Sequence, residues 1–125
     1  MPRDVVTTAH APRNPNYSQA VKAGGLVFVS GQASVDPDTG EVVGGTIQEQ
    51  TRRALTNVSS ILEAAGSSLQ KVVSATFILA DPDDFSGMNE EWQAWFPSDP
   101  PARQGAKFPL AIPGMRISIA AIAEV

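Results

Sequence analysis

The sequence predicts an α+β fold, a six-stranded mixed sheet with two helices packed on one face. Three observations carry that expectation. Six short stretches have strand character, and only two have the 3.6-residue periodicity of amphipathic helices. Their order is β-β-β-α-β-α-β-β, with no repeat or low-complexity linker between them. Two helices cover one face of such a sheet; with no helix left for the other, the pattern points to another copy of the chain as its cover.

Each element has a local reason. DVVTT (4–8) reads as a short strand, and HAPRNPNYS, with prolines at 12 and 15, as a turn-rich segment. QAVKAGGLVFVSGQ reads as two extended runs about the Gly24-Gly25 turn, with the continuously apolar LVFVS as an interior strand. DPDTGEVVGG is a loop. Residues 46–65 carry the clearest helix: Thr46 and Glu49 form a capping box, and Gly66 stands at the C-terminal cap position. Ile47, Thr51, Ala54, Leu55, Val58, Ile61, Leu62 and Ala65 share one face, while Glu49 and Arg53 are spaced for a solvated i,i+4 pair.

VVSATFILA (72–80) is β-branched and aromatic, as a buried strand requires. A second helix opens with Asp81 as N-cap and Pro82 at its first position. Its stripe of Phe85, Met88, Trp92, Trp95 and Phe96 suits packing on a sheet. FPSDPP ends it, and ARQGAKF and MRISIAAIAEV supply the last two strands.

Composition narrows the chemistry. A chain of 125 residues is enough for one domain (1–125), and 42% hydrophobic with 18% charged residues is an ordinary globular balance. No apolar run approaches the roughly 20 residues of a membrane span. MPRDVVTTAH lacks the apolar run of a signal peptide, so a soluble, cytoplasmic protein with no membrane partner is expected. Without cysteine there is no disulfide, thiolate nucleophile or thiolate metal site, and the one histidine, His10, excludes a multi-histidine metal cage. Asp81, Asp83 and Asp84 cluster but lack the glycine-bearing spacing of a calcium loop, so no metal is expected. Net charge is −4, and of nine Lys and Arg only Arg52 and Arg53 are adjacent, which argues against a general nucleic-acid partner. A Pro2 base exposed by removal of Met1, as in tautomerases, has no other support in the chain. What remains for chemistry is Arg, Tyr, Ser, carboxylates, backbone groups and water.

The stretch DPPARQGAKF (99–108) places Arg103 beside stiff backbone, with Gly105 two residues on. Such an arginine is either a solvated strand residue or an anchor for an anion, whose planar fork suits a carboxylate. Several other segments stand in a telling order: NYSQA (16–20), SGQ (30–32), DPDTG (36–40), QT (50–51), ALTNVSSILEAAGSSLQKVV, the NE of MNEEW (89–90) and PAR (101–103). Together they resemble the Rid family (reactive intermediate deaminases, also called YjgF or L-PSP proteins) over essentially the whole chain.

That resemblance implies a homotrimer whose sheets form a central barrel, with a cleft between each pair of subunits. It implies hydrolysis of reactive enamines and imines such as 2-aminoacrylate to 2-keto acids and ammonia, without a cofactor. It makes Arg103 the carboxylate anchor. Gly105 then offers backbone groups to the ligand or marks a bulge, and Tyr17 lines the pocket or packs in the core. Ser30 and Gly31 face the cleft or form a simple turn. Asn89 shapes the cleft or lies on the helix surface.

Three departures from the family pattern stand out. The last strand reads SIAAIA, so Ser118 and Ala120 occupy two positions that are acidic in archetypal members, where a glutamate serves the hydrolytic water. Asn16 replaces a glycine before the Tyr-Ser pair, and Gln104 replaces a small hydroxyl residue after PAR. Because Ala120 can neither take a proton nor orient water, a non-catalytic trimer that binds 2-keto acids is a second expectation. Endoribonuclease activity, attached to some members, is a third, and the acidic pI and single histidine weigh against it.

Overall fold

In the computed structural model, which describes residues 3–110 and 112–125, the sheet is built from β1 (Asp4–Val6), β2 (Ala20–Ala23), β3 (Leu26–Ala33), β4 (Val72–Leu79), β5 (Ala102–Lys107) and β6 (Ile117–Glu124). The helices are α1 (Ile47–Ala64) and α2 (Phe85–Trp95), with short 3-10 turns at Leu69–Lys71 and Pro82–Asp84. The strands lie in the order β1-β2-β3-β6-β4-β5. All neighbours are antiparallel except β4 and β5, whose parallel pairing requires the crossover that α2 supplies. The architecture is the predicted α+β layer, a mixed six-stranded sheet with two helices.

Local chemistry accounts for the main boundaries. Gly24 and Gly25, at φ +60° and +79°, make the tight turn that folds β2 back on β3. Thr46 Oγ1 accepts from Glu49 N at 3.1 Å, and Glu49 Oε1 accepts from Thr46 N at 3.0 Å, so the capping box closes as the spacing predicts. At the other end Gly66, at φ +82°, donates to Glu63 O and Ser67 N donates to Leu62 O, which completes a Schellman cap. The predicted stripe of α1 is buried throughout, against Val27 and Val29 of β3 and Ile117 and Ile119 of β6.

Some expectations are corrected. Glu49 and Arg53 do not pair: Glu49 is committed to the capping box, and Arg53 donates to Asn57 Oδ1. Asp81 caps the 3-10 turn, accepting from Asp83 N at 2.9 Å, and α2 proper begins at Phe85. Within the α2 stripe Met88 and Trp92 are buried, whereas Phe85 is 45% exposed. LVFVS is interior in the strand order, yet its side chains alternate: Val27 and Val29 enter the core while Phe28 is 41% exposed. The run is continuously apolar because both faces of the sheet are. Val5, Val21, Phe28 and Ile122 stand in register across four strands on the face away from the helices. Among the described residues, no helix is long and apolar enough to cross a membrane.

Candidate functional site

β5 is an edge strand and all six of its residues are exposed. Alternation sends Arg103 and Gly105 to the helix side and Gln104 to the open face. Arg103 lies opposite Ala75 and Gly105 opposite Phe77 on β4. The guanidinium carbon of Arg103 stands 4.9 Å from the ring centre of Phe77, 5.6 Å from Phe85 and 5.1 Å from Trp92. Its Nη1 donates to Asn89 Oδ1 at 2.8 Å. Burial lowers the Arg103 pKa from its ordinary value.

No carboxylate pairs with Arg103 among the described residues, although Arg52 and Arg116 each have one. The cation is therefore oriented by three rings and an amide, with most of its donors uncommitted. A groove of about 300 Å³ opens beside it, lined by Asn89, Trp92, Pro100 and Pro101.

Packing also explains a glycine at position 105. A Cβ there would lie 2.1 Å from Phe77 Cζ, so the missing side chain makes room for the Phe77 ring beneath Arg103. Phe77 and Phe85 were read from the sequence as ordinary strand and helix apolar residues. Nothing in their spacing signals that they flank a cation.

The remaining predicted residues gather elsewhere. Between Val29 and Gln32 the β3–β6 register slips, so Ser30 and Gly31 together stand opposite the single residue Ala120. This β-bulge frees backbone groups from the ladder and re-aims the side chains around it. A Cβ on Gly31 would lie 2.8 Å from Ser118 Oγ, so the Ser118 hydroxyl sits over the glycine. Ser30 N donates to Gln19 O at 2.9 Å and its Oγ to Ser18 O at 2.6 Å, which leaves the hydroxyl as an acceptor only. Tyr17, 54% exposed, lies beside Gly31 on a groove wall and not in the core. Asn16 heads the same loop, its N–H donating to Asn14 Oδ1 at 2.8 Å. Pro2 lies outside the described residues.

One chain does not bring all the candidate residues together. Arg103, Asn89 and Gly105 form one group at the β5 edge. Tyr17, Ser30 and Gly31 form another on and beside β3, with Ala120 and Ser118 next to it. β6 and β4 lie between, and at about 4.8 Å per strand the separation is on the order of 14 Å.

Gln19 escaped the sequence reading altogether. It is buried, its Nε2 donates to the carbonyls of Thr8, Ala11 and Pro12, and its Oε1 accepts from Thr8 N at 2.7 Å. It braces the segment that presents Tyr17. Asp81 and Asp84 are likewise engaged structurally, Asp81 accepting from Asp83 N and Asp84 carrying a two-pronged pair to Arg116 at 2.6 and 3.1 Å.

Residues 8–125 match the family described as Endoribonuclease L-PSP. The 2-iminobutanoate/2-iminopropanoate deaminase of Homo sapiens is 40% identical over 122 residues, spanning 97% of this chain and 89% of that protein. A RutC family protein of Pyrococcus horikoshii is 43% identical over 97% of each chain. Among solved structures, RidA of Psychrobacter sp. superposes with a TM-score of 0.91 at 35% identity, over 98% of this chain and 99% of that one. TdcF of E. coli, solved with bound serine, superposes at 0.90 with 32% identity over 98% of each chain. The motifs around Arg103 and the Ser30-Gly31 bulge thus sit in a chain that belongs to the Rid (YjgF, L-PSP) family.

Proposed function

We propose that the protein hydrolyses small 2-imino acids and their enamine tautomers to 2-keto acids and ammonia, in clefts where Arg103 of one copy meets Tyr17, Ser30 and Gly31 of the next in a homotrimer. The observation that carries this reading is the uncommitted Arg103, a cation oriented by Asn89 and three aromatic rings and paired with no acid among the described residues. An oriented guanidinium fork can take a carboxylate bidentately. The bare apolar row of Val5, Val21, Phe28 and Ile122, and the separation of the two residue groups, support assembly from copies.

The chemistry asks little of the protein. Water adds to the C=N carbon, its proton passes to nitrogen, and the carbinolamine expels ammonia to leave the keto acid. Clamping the carboxylate fixes the reacting carbon, and polar groups at the bulge can hold the water. Ammonia release from 2-aminoacrylate generated by a serine dehydratase tests the reading; equal rates in wild type and Arg103→Ala sink it.

Ala120 favours one second reading, a trimer that binds 2-keto acids without turnover. It requires calorimetric binding of 2-oxobutanoate, lost in Arg103→Ala, with no deamination of any imino acid. Less supports RNA cleavage, since Arg52 is tied to Glu91 and Arg53 to Asn57.

A further inference from the structure

A groove of about 660 Å³ carries a cation that the deaminase reading does not use. Arg13 lines it together with Asn14, Tyr17, Gly31, Gln32 and Ser118, and no carboxylate lines it among the described residues. Arg13 makes no ion pair or side-chain hydrogen bond among the described residues. In a chain of net charge −4, a cation left unpaired in a concavity is placed to receive an anion.

The backbone that presents Arg13 is braced. Gln19 Nε2 holds the Pro12 carbonyl at 2.9 Å and the Ala11 carbonyl at 3.0 Å. On the far side Asn14 bridges to Tyr17 and accepts from Asn16 N. Arg13 thus leaves a short loop fixed at both ends, on the same groove as the Tyr17 ring and the Gly31 bulge. The groove also holds the Ser118 hydroxyl, over Gly31, and buried Gln32, whose amide nitrogen donates to Ser30 O.

We infer that Arg13 is a specificity-determining residue that binds a second carboxylate, so that the preferred substrates are 2-imino dicarboxylates of four or five carbons. The inference rests on the deaminase reading: the 1-carboxylate sits on Arg103 of the neighbouring copy, the imine carbon lies at the Ser30-Gly31 bulge, and the distal carboxylate reaches Arg13.

Calorimetry with the stable keto analogues 2-oxoglutarate and 2-oxobutanoate tests it on wild type, Arg13→Gln, Arg13→Lys and Arg103→Ala. The wild type binds 2-oxoglutarate at least about tenfold more tightly, the scale of one charge-assisted contact. Arg13→Gln lowers affinity for 2-oxoglutarate about tenfold more than for 2-oxobutanoate, and Arg13→Lys, which keeps the charge, retains part of the preference. Equal affinities in the wild type, or equal losses for both ligands in Arg13→Gln, overturn the inference. Binding of 2-oxobutanoate that survives Arg103→Ala overturns the anchor on which it rests, whatever Arg13 does, and failure of either ligand to bind overturns both.

Discussion

The ring of Phe77 occupies the space that a side chain on Gly105 would need, with Cζ 2.1 Å from where a Cβ would stand. The same ring lies 4.9 Å from the Arg103 guanidinium. Gly105 therefore acts on Arg103 indirectly, by letting Phe77 slide beneath it. Gly105→Ala must push the ring aside, and overpacking of this kind costs about 1–3 kcal/mol. The expected result is a lower Tm together with weaker 2-oxobutanoate binding by calorimetry. Adding Phe77→Leu to Gly105→Ala should recover part of the lost stability, because the shorter side chain vacates the clash. If the double variant is no more stable than Gly105→Ala alone, the ring is not what excludes the methyl group.

Ala120 stands opposite Thr76 on β4 and opposite the Ser30-Gly31 bulge on β3. Thr76 Oγ1 accepts from Gln104 Nε2 at 3.4 Å, so polar atoms flank the position while Ala120 itself offers none. Ala120→Glu introduces a carboxylate beside the freed backbone of the bulge. General-base assistance typically supplies about 10²–10⁴-fold in rate. The variant should release ammonia from 2-aminoacrylate at least about tenfold faster than the wild type. An unchanged rate would mean that a base at this position does not reach the hydrolytic water.

These two relationships show where sequence reading succeeds and where it stops. The ends of α1 were legible because capping is local: Thr46 and Glu49 bond each other three residues apart, and at the far end Gly66 and Ser67 bond back to Glu63 and Leu62, three and five residues before them. Arg103 was legible as a candidate, since it lies in a short stretch of unusual chemistry. Its surroundings were not, because Phe77 on β4 and Phe85 and Asn89 on α2 reach it from two other parts of the chain and carry no local mark. The bulge was equally hidden, since it exists only in the pairing of β3 with β6, some 90 residues apart in sequence. Alternation along β6 puts Ser118 and Ala120 on one face, but only the sheet order sets them beside Ser30 and away from Arg103.

Gln19 supports a further prediction. Its amide is 5% exposed and replaces, for residues 8 to 12, the ladder bonds that an irregular segment lacks. Gln19→Leu keeps the bulk and strands the buried Ala11 carbonyl, the half-buried Pro12 carbonyl and the backbone N–H and carbonyl of Thr8. Leaving such groups unpaired costs about 2–4 kcal/mol in total. The variant should show a lower Tm and faster hydrogen exchange at Thr8. Unaltered exchange there would mean that the loop holds its shape without the glutamine.

The contact between the two helices should respond to acid. Glu91 on α2 accepts from Arg52 Nη2 at 3.0 Å and Nε at 3.2 Å, and from Trp95 Nε1 at 2.7 Å. The hydrogen bonds from Arg52 lead, with burial opposing and Trp95 assisting, and together they hold the Glu91 pKa below its ordinary 4.5. A carboxylate with a depressed folded-state pKa contributes stability that is fully present above the unfolded value and lost as pH falls through the folded one. Glu91→Gln removes the charge at every pH. Its Tm should therefore lie below that of the wild type at neutral pH, and the gap should narrow as pH drops below about 4.5. Salt should narrow the gap as well, because Arg52 is 58% exposed and its side of the pair is screened. A gap that persists unchanged at pH 3 would assign the contribution of Glu91 to packing against Trp95 and not to its charge.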